Sequence, residues 1–359
     1  MSNELHRALR GHHGLETRLR VQSSGIPLRL FTLLSTMTLA MSACTSEDTL
    51  TEPLAEASSA RAAGKRYTAV DLGTLGGIAS VARSINSSGS VVGWSETTDG
   101  QRHAFLWSKG VMTDLGTLGG GNSDAYSINP RGDVVGQSLT AAGQLHAFLW
   151  SKGVMIDLGT LGAESSEANG INPAGRVVGF SGTPTGPGHV FLWNKGVMTD
   201  LGALQAPSIN PAGQIAASTR TAAGETHAVL WNKGVITDLG TLGGSFSRSW
   251  SINPRADVVG ESLIAGGQTH AFLSSNGIMT DLGTLGGSYS IARGINPARV
   301  VVGYSETSEG QQHAFVWVND RMRDLGTLSG ASYSIAWGIN PRGDIVGESG
   351  QRATLWTRR

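Results

Sequence analysis

The chain has 359 residues, 51 of them glycine, with 39% hydrophobic and 15% charged residues and a formal net charge of zero. The hydrophobic share excludes a disordered chain, and so much glycine points to many turns between short elements. Balanced charge excludes a nucleic-acid partner of the usual kind, which needs a basic surface to neutralise phosphates.

In chain order, the first predicted element is a signal peptide over residues 1–43. Its basic part carries Arg7, Arg10, Arg18, Arg20 and Arg29, and an uncharged stretch rich in Leu and Met runs from Leu30 to Ala43. That stretch is too short to span a bilayer comfortably as a permanent helix. It ends in Met41-Ser42-Ala43-Cys44, which resembles the lipobox of bacterial lipoproteins. The resemblance implies that Cys44 is lipidated and becomes the mature N-terminus, with the membrane, the outer one of a bacterium, as a partner through that anchor. Cys44 is the only cysteine of the chain, so it has no mate for a disulfide or a zinc framework. Plain secretion and a cytoplasmic location are the alternatives. Taking residues 1–43 away removes five Arg and two Glu from 27 basic and 27 acidic side chains and leaves a net charge of −3. Residues 44–66 supply the anchor cysteine and then a small, polar stretch without periodicity, which reads as a flexible tether.

From residue 67 to 359 the chain repeats itself. Asp-Leu-Gly begins at Asp71, Asp114, Asp157, Asp200, Asp238, Asp281 and Asp324, at spacings of 43 residues except for 38 between Asp200 and Asp238. After Asp114 the unit reads "TLGGGNSD", "AYSIN", the turn Pro130-Arg131-Gly132, "DVVGQS", a polar "LTAAGQL", "HAFLW", Ser-Lys-Gly and "VMIDLG". These are four β-rich segments separated by turn chemistry: proline fixes φ, and glycine tolerates positive φ. Ser-Lys-Gly suits a short hairpin. No window shows the 3.6-residue period of an amphipathic helix. "HAFLW" and "DVVG" are apolar on both alternating faces, so each small sheet is expected between two others.

Four antiparallel strands per period near 43 predict an all-β fold, a seven-bladed β-propeller of four-stranded blades. A linear solenoid is the competing reading. The ends of the array favour the ring: "KRYTAVDLG" is a fourth strand without the first three, and "GESGQRATLWTRR" ends a unit that lacks its fourth. The N-terminal strand would complete the last blade and pair edges that otherwise invite aggregation.

The third segment begins with His at His103, His146, His189, His227, His270 and His313. Together with "DLGTLGG" and "INPxG" before "VVG", it resembles the bacterial extracellular HAF-repeat family over residues 67–359. The resemblance implies a place outside the cytoplasm, and it brings no established activity and no catalytic residues. The histidines invite a metal reading, but equivalent positions of neighbouring blades stand about 10 Å apart or more, whereas metal ligands converge within about 2 Å of one ion. They are expected to be structural hydrogen-bonding groups, and Arg352 replaces His in the last copy. No metal and no cofactor is expected. The tryptophans at 107, 150, 193, 231, 317 and 356 read as packing between blades. Arg131-Gly132-Asp133 and Arg342-Gly343-Asp344 read as turns rather than adhesion motifs. "GTLGG" leads into strands and lacks the helix N-terminus of a phosphate loop.

The informative positions are those where the copies disagree. Two residues before each repeated Ile-Asn stand Arg83, Tyr126, Asn169, Pro207, Trp250, Arg293 and Trp337. First strands line the channel of most propellers, so these side chains are expected around its mouth, where aromatic faces and two guanidiniums can stack on sugar rings or hold an anion. Arg83, Tyr126, Asn169, Trp250, Arg293 and Trp337 are therefore the candidate ligand-binding residues; the bland alternative is variable packing at a blade interface. Copy four lacks five residues before Ile209, which would open one side of that face, and the last copy is short between Ser349 and Arg352. Glu164 and Glu167 read as solvated loop carboxylates rather than a pair for glycoside hydrolysis. No catalytic constellation assembles. The expected function is a monomeric extracytoplasmic binding or scaffold domain presenting a face to a polysaccharide or extracellular protein. The rival is a carbohydrate-active enzyme, a hydrolase or lyase, with its site at the channel mouth.

Overall fold

The computed structural model describes residues 67–358; the expected signal peptide, Cys44 and tether lie outside them. A short strand β1 (Tyr67–Asp71) comes first. Blade 1 follows as β2 (Gly76–Ile85), β3 (Val91–Thr97), β4 (Arg102–Ser108) and β5 (Val111–Asp114), each antiparallel to its neighbour. The same meander recurs over residues 119–157, 166–200, 205–238, 243–281 and 286–324, giving blades 2 to 6. Blade 7 has three strands between residues 334 and 358, and β1 supplies its fourth, with Tyr67 opposite Arg358 and Asp71 opposite Thr354. Blades 4 and 5 are linked by one parallel bridge, Thr226 to Phe246. This is the seven-bladed ring, closed by its N-terminal strand.

The doubly apolar segments are sandwiched as expected. Val91, Val92, Ala104 and Phe105 are all fully buried. Each core cluster joins adjacent blades: Phe105 and Val91 of blade 1 pack with Val346 and Ala353 of blade 7, with Trp107 against them. Lys109 and Gly110 both have positive φ, 51° and 87°, the backbone of a two-residue hairpin turn whose twist matches the flanking strands.

Each of the six repeat histidines meets an aspartate of its own blade. Nδ1 of His103 lies 2.7 Å from Asp114 Oδ2, and the other five pairs span 2.7–2.8 Å. The same aspartate caps the turn after it, as Asp114 Oδ1 accepts from the Gly116 N–H at 2.8 Å. In blade 7 Arg352 takes the place of His and reaches Asp71 of the closing strand at 3.0 Å. The repeated motif thus fastens the third strand to the end of the fourth.

A second device runs round the ring itself. Asn86 donates through Nδ2 to the backbone carbonyl of Asn129, Asn129 to Asn172, Asn172 to Asn210, Asn210 to Asn253, Asn253 to Asn296, Asn296 to Asn340, and Asn340 back to Asn86, at 3.2–3.4 Å. All seven are buried. Their Oδ1 atoms meanwhile accept from backbone N–H groups of the following turn, as Asn172 does from Ala174 and Arg176, both at 3.0 Å. One amide side chain therefore shapes its own turn and ties its blade to the next, which leaves a buried polar group satisfied on both sides.

Candidate functional site

The diversified residues owe their direction to a β-bulge. On the inner strand of blade 1, Ala82 pairs with Gly93 and Ser84 with Val92, leaving Arg83 as the extra residue. The same shift leaves Tyr126, Asn169, Trp250, Arg293 and Trp337 unpaired in their blades. A bulge re-aims the side chain it carries and is frequent beside binding sites. The bulge also explains the glycine of "VVG". A Cβ added at Gly93, Gly136, Gly179, Gly260, Gly303 or Gly347 would collide with the carbonyl oxygen of the residue before the bulge, such as Val81 or Asp124. Blade 4 carries Ala217 there, and its bulge runs differently: the register slips between Gln205 and Ser208, and Ala206 takes φ 48°.

All seven bulge positions open on one cavity of about 260 Å³ at the mouth of the channel. Arg83, Tyr126, Asn169, Pro207, Trp250, Arg293 and Trp337 line it, so the slot faces the axis and not a blade interface. Below them a second space of about 180 Å³ is lined by the next, small residues of the inner strands, among them Ser84, Ser127, Gly170 and Gly294. The seven isoleucines follow, and then the asparagine ring.

The site has two unlike halves. Blades 5, 6, 7 and 1 contribute a continuous stack in which Arg293 Cζ lies 3.8 Å from the Trp250 ring centroid and 4.8 Å from that of Trp337. Arg83 Cζ lies 4.2 Å from the same Trp337 ring. The indole N–H of Trp250 donates to Glu261 Oε1 and that of Trp337 to Glu348 Oε1, each at 3.2 Å, which fixes both rings. Burial lowers the Arg83 pKa, opposed in part by the fields of Glu348 and Asp124. The other half, from blades 2 to 4, offers Tyr126, Asn169, Glu167 and the short strand with Pro207. Burial, reinforced by Asp124 and Glu167, pushes the Tyr126 hydroxyl pKa well up, so it stays protonated.

Glu167 corrects the sequence reading. It lies on the strand Ser166–Ile171, not in a solvated loop, lines the cavity, and accepts from Asn169 Nδ2 at 3.2 Å. The signal was present but passed over: four residues before each Ile-Asn isoleucine the copies carry Val81, Asp124, Glu167, Gln205, Arg248, Ile291 and Ile335, a second diversified slot. A third lies opposite it on the second strand, where Trp94 pairs with Val81 and Tyr304 with Ile291. The gap at Ser349 to Arg352 leaves a separate surface cavity of about 530 Å³ beside Tyr333 and Asp71.

Solved structures share this architecture. A puromycin-hydrolysing peptidase from Mycobacterium tuberculosis matches at 11% identity and a TM-score of 0.53, over 79% of this chain and 52% of its own. The β-propeller domain of the Trilobed protease from Pyrococcus furiosus matches at 9% identity and 0.52, over 69% and 81%. A streptogramin B lyase matches at 11% identity and 0.50, over 82% and 98%. The chain spans about half the length of the peptidase it matches. At these identities the likeness shows the propeller fold alone. No protein-family profile matches the chain, and no curated protein matches it in sequence.

Proposed function

We propose that the chain is an extracytoplasmic binding propeller of the HAF-repeat kind, tethered through a lipid on Cys44, whose channel mouth takes a group of a polysaccharide or extracellular protein. One observation carries this reading: seven side chains that differ among otherwise uniform repeats are turned by bulges onto a single cavity. A rigid frame with diversified side chains gathered on one cavity is what a recognition site requires.

The rival enzyme reading has less support. Glu167 is the one carboxylate among the residues lining the mouth cavity, whereas glycoside hydrolysis normally employs two. A lyase base should release its proton near neutrality, and Tyr126 is shifted the other way. Fold does not decide, because propellers serve both purposes.

A glycan array with the purified protein tests the reading, followed by incubation of any bound polymer and assay of reducing ends or unsaturated products. Binding without turnover, weakened at least tenfold by Trp250→Ala with Trp337→Ala, is the expected result. Turnover abolished by Tyr126→Phe would establish the enzyme instead, and binding indifferent to both tryptophans would remove the site from the channel mouth. For the address, Cys44→Ser should leave the precursor unlipidated; unchanged membrane fractionation would count against the anchor.

A further inference from the structure

We infer that the group bound at the channel mouth is the carboxylate of an acidic sugar, held between Arg83 and Arg293. This rests on the binding reading above and names its ligand class.

The aromatic faces are already in use. A neutral sugar stacks its C–H face on an open indole, but Trp337 carries Arg83 and Arg293 at 4.2 and 4.8 Å from its ring centroid, and Trp250 carries Arg293 at 3.8 Å with Arg248 at 5.6 Å. A guanidinium placed over an indole still has N–H groups for a ligand, although Arg293 Nη2 also donates to the Tyr304 hydroxyl at 3.4 Å, and its planar fork matches a carboxylate.

Those two cations lack a counter-ion. Among the described residues, neither Arg83 nor Arg293 has a carboxylate within 4.0 Å, and the Nε of each is buried without a hydrogen-bond partner. Nearby carboxylates are committed elsewhere: Glu348 accepts from Trp337, and Asp124 lies 2.6 Å from Arg102. A buried charge left unpaired is costly, and a bound anion relieves it. The opposite rim is suited to hydroxyls, with Asn169 Oδ1 buried and unpartnered and Glu167 beside it. A cavity of about 260 Å³ falls near the lower end of ligand pockets, roughly 300–1,000 Å³, which fits one sugar unit.

The full chain in detergent is titrated calorimetrically with short oligomers of galacturonate, glucuronate, mannuronate and guluronate, each beside its methyl ester, which removes the charge and keeps the ring. Sulfated oligosaccharides and an acidic peptide complete the panel. At least one acid oligomer should bind, its ester at least tenfold more weakly, and Arg83→Gln or Arg293→Gln should weaken the acid at least tenfold. Arg293→Lys, which keeps the charge and loses the fork, should fall in between, and unchanged melting temperatures show that the variants fold. If no acid oligomer binds, or acid and ester bind alike, or only the sulfated glycan or the peptide binds, the inference fails. Neutral binding that is lost in Tyr126→Ala with Asn169→Ala would sink the acidic ligand while keeping the channel-mouth site. Glycan binding that is indifferent to every one of these variants would overturn both.

Discussion

Replacing Asn172 by aspartate separates the two jobs of a ring asparagine. The side chain is 1% exposed, its Nδ2 donates to the Asn210 carbonyl at 3.3 Å, and its Oδ1 accepts from two N–H groups. Aspartate keeps both acceptances but turns the donor into a second oxygen facing a carbonyl. The Asn210 carbonyl keeps its other donor, the Gly213 N–H at 3.0 Å, so the lost hydrogen bond costs about 0.5–1.5 kcal/mol; the opposed oxygens and the buried charge add to it, and a loss of about 2–3 kcal/mol is expected at neutral pH. Alanine also frees the N–H groups of Ala174 and Arg176, which lie in an exposed turn, so it should cost roughly 1 kcal/mol more. Guanidinium unfolding at pH 7, with an unchanged m-value, measures both. Because the ionised form is the disfavoured one, the folded-state carboxyl pKa is raised, and the aspartate deficit should shrink as pH falls through it and be fully relieved by the ordinary value of about 3.9, since the protonated acid again donates to Asn210. An Asn172→Asp protein within about 0.5 kcal/mol of the parent, the usual scale of inconsequential surface changes, or an alanine variant no worse than the aspartate, would refute the account of the ring.

Three further outcomes follow from the bulges and turns. Gly136→Ala sets a Cβ against the Asp124 carbonyl and should lower stability by about 1–3 kcal/mol or more. Ala217→Gly, in the blade with the different bulge, should cost only about 0.5–1 kcal/mol, and equal melting-temperature losses would count against the bulge argument. Ala256 holds φ 63° where five copies have glycine, so Ala256→Gly should raise stability by about 1 kcal/mol; no gain in chemical unfolding would mean the turn carries no strain. Burial pushes the Asp257 carboxyl up, but hydrogen bonds from Arg299, Ser275 and Asn253 outweigh it and hold the pKa below its ordinary value. The folded state therefore binds its proton less readily than the unfolded chain. The stabilisation should be complete above the ordinary carboxyl value and vanish as pH falls through the depressed one. A gap between parent and Asp257→Asn that persisted unchanged well into acid would show that ionisation is irrelevant there.

The repeat made the ring legible because four strands per period leave few alternatives, and the orphan strand at Tyr67 had one place to go. The slot was legible as disagreement among copies, since a uniform frame makes variation visible. Three features were hidden for physical reasons. Alternation along a strand cannot reveal a bulge, so Glu167 looked like loop and the glycines of "VVG" had no evident reason. The invariance of Ile-Asn suited a turn, and nothing local says that the same amide reaches 43 residues ahead, from Asn86 to Asn129. The stacking of Arg83 and Arg293 on Trp337 joins three blades, and therefore appears only when the ring is closed.

The asparagine circuit has a consequence for how such a chain can grow. Each repeat brings one donor and one acceptor, and uses the acceptor of the next repeat. Insertion or loss of a whole unit changes both by one, so a closed ring of any size leaves none unmatched. The circuit is blind to number; what counts the blades is the wedge angle set by the packed faces between them. Duplication of whole repeats could thus be tolerated at every intermediate size, whereas a change of half a repeat would strand a buried amide.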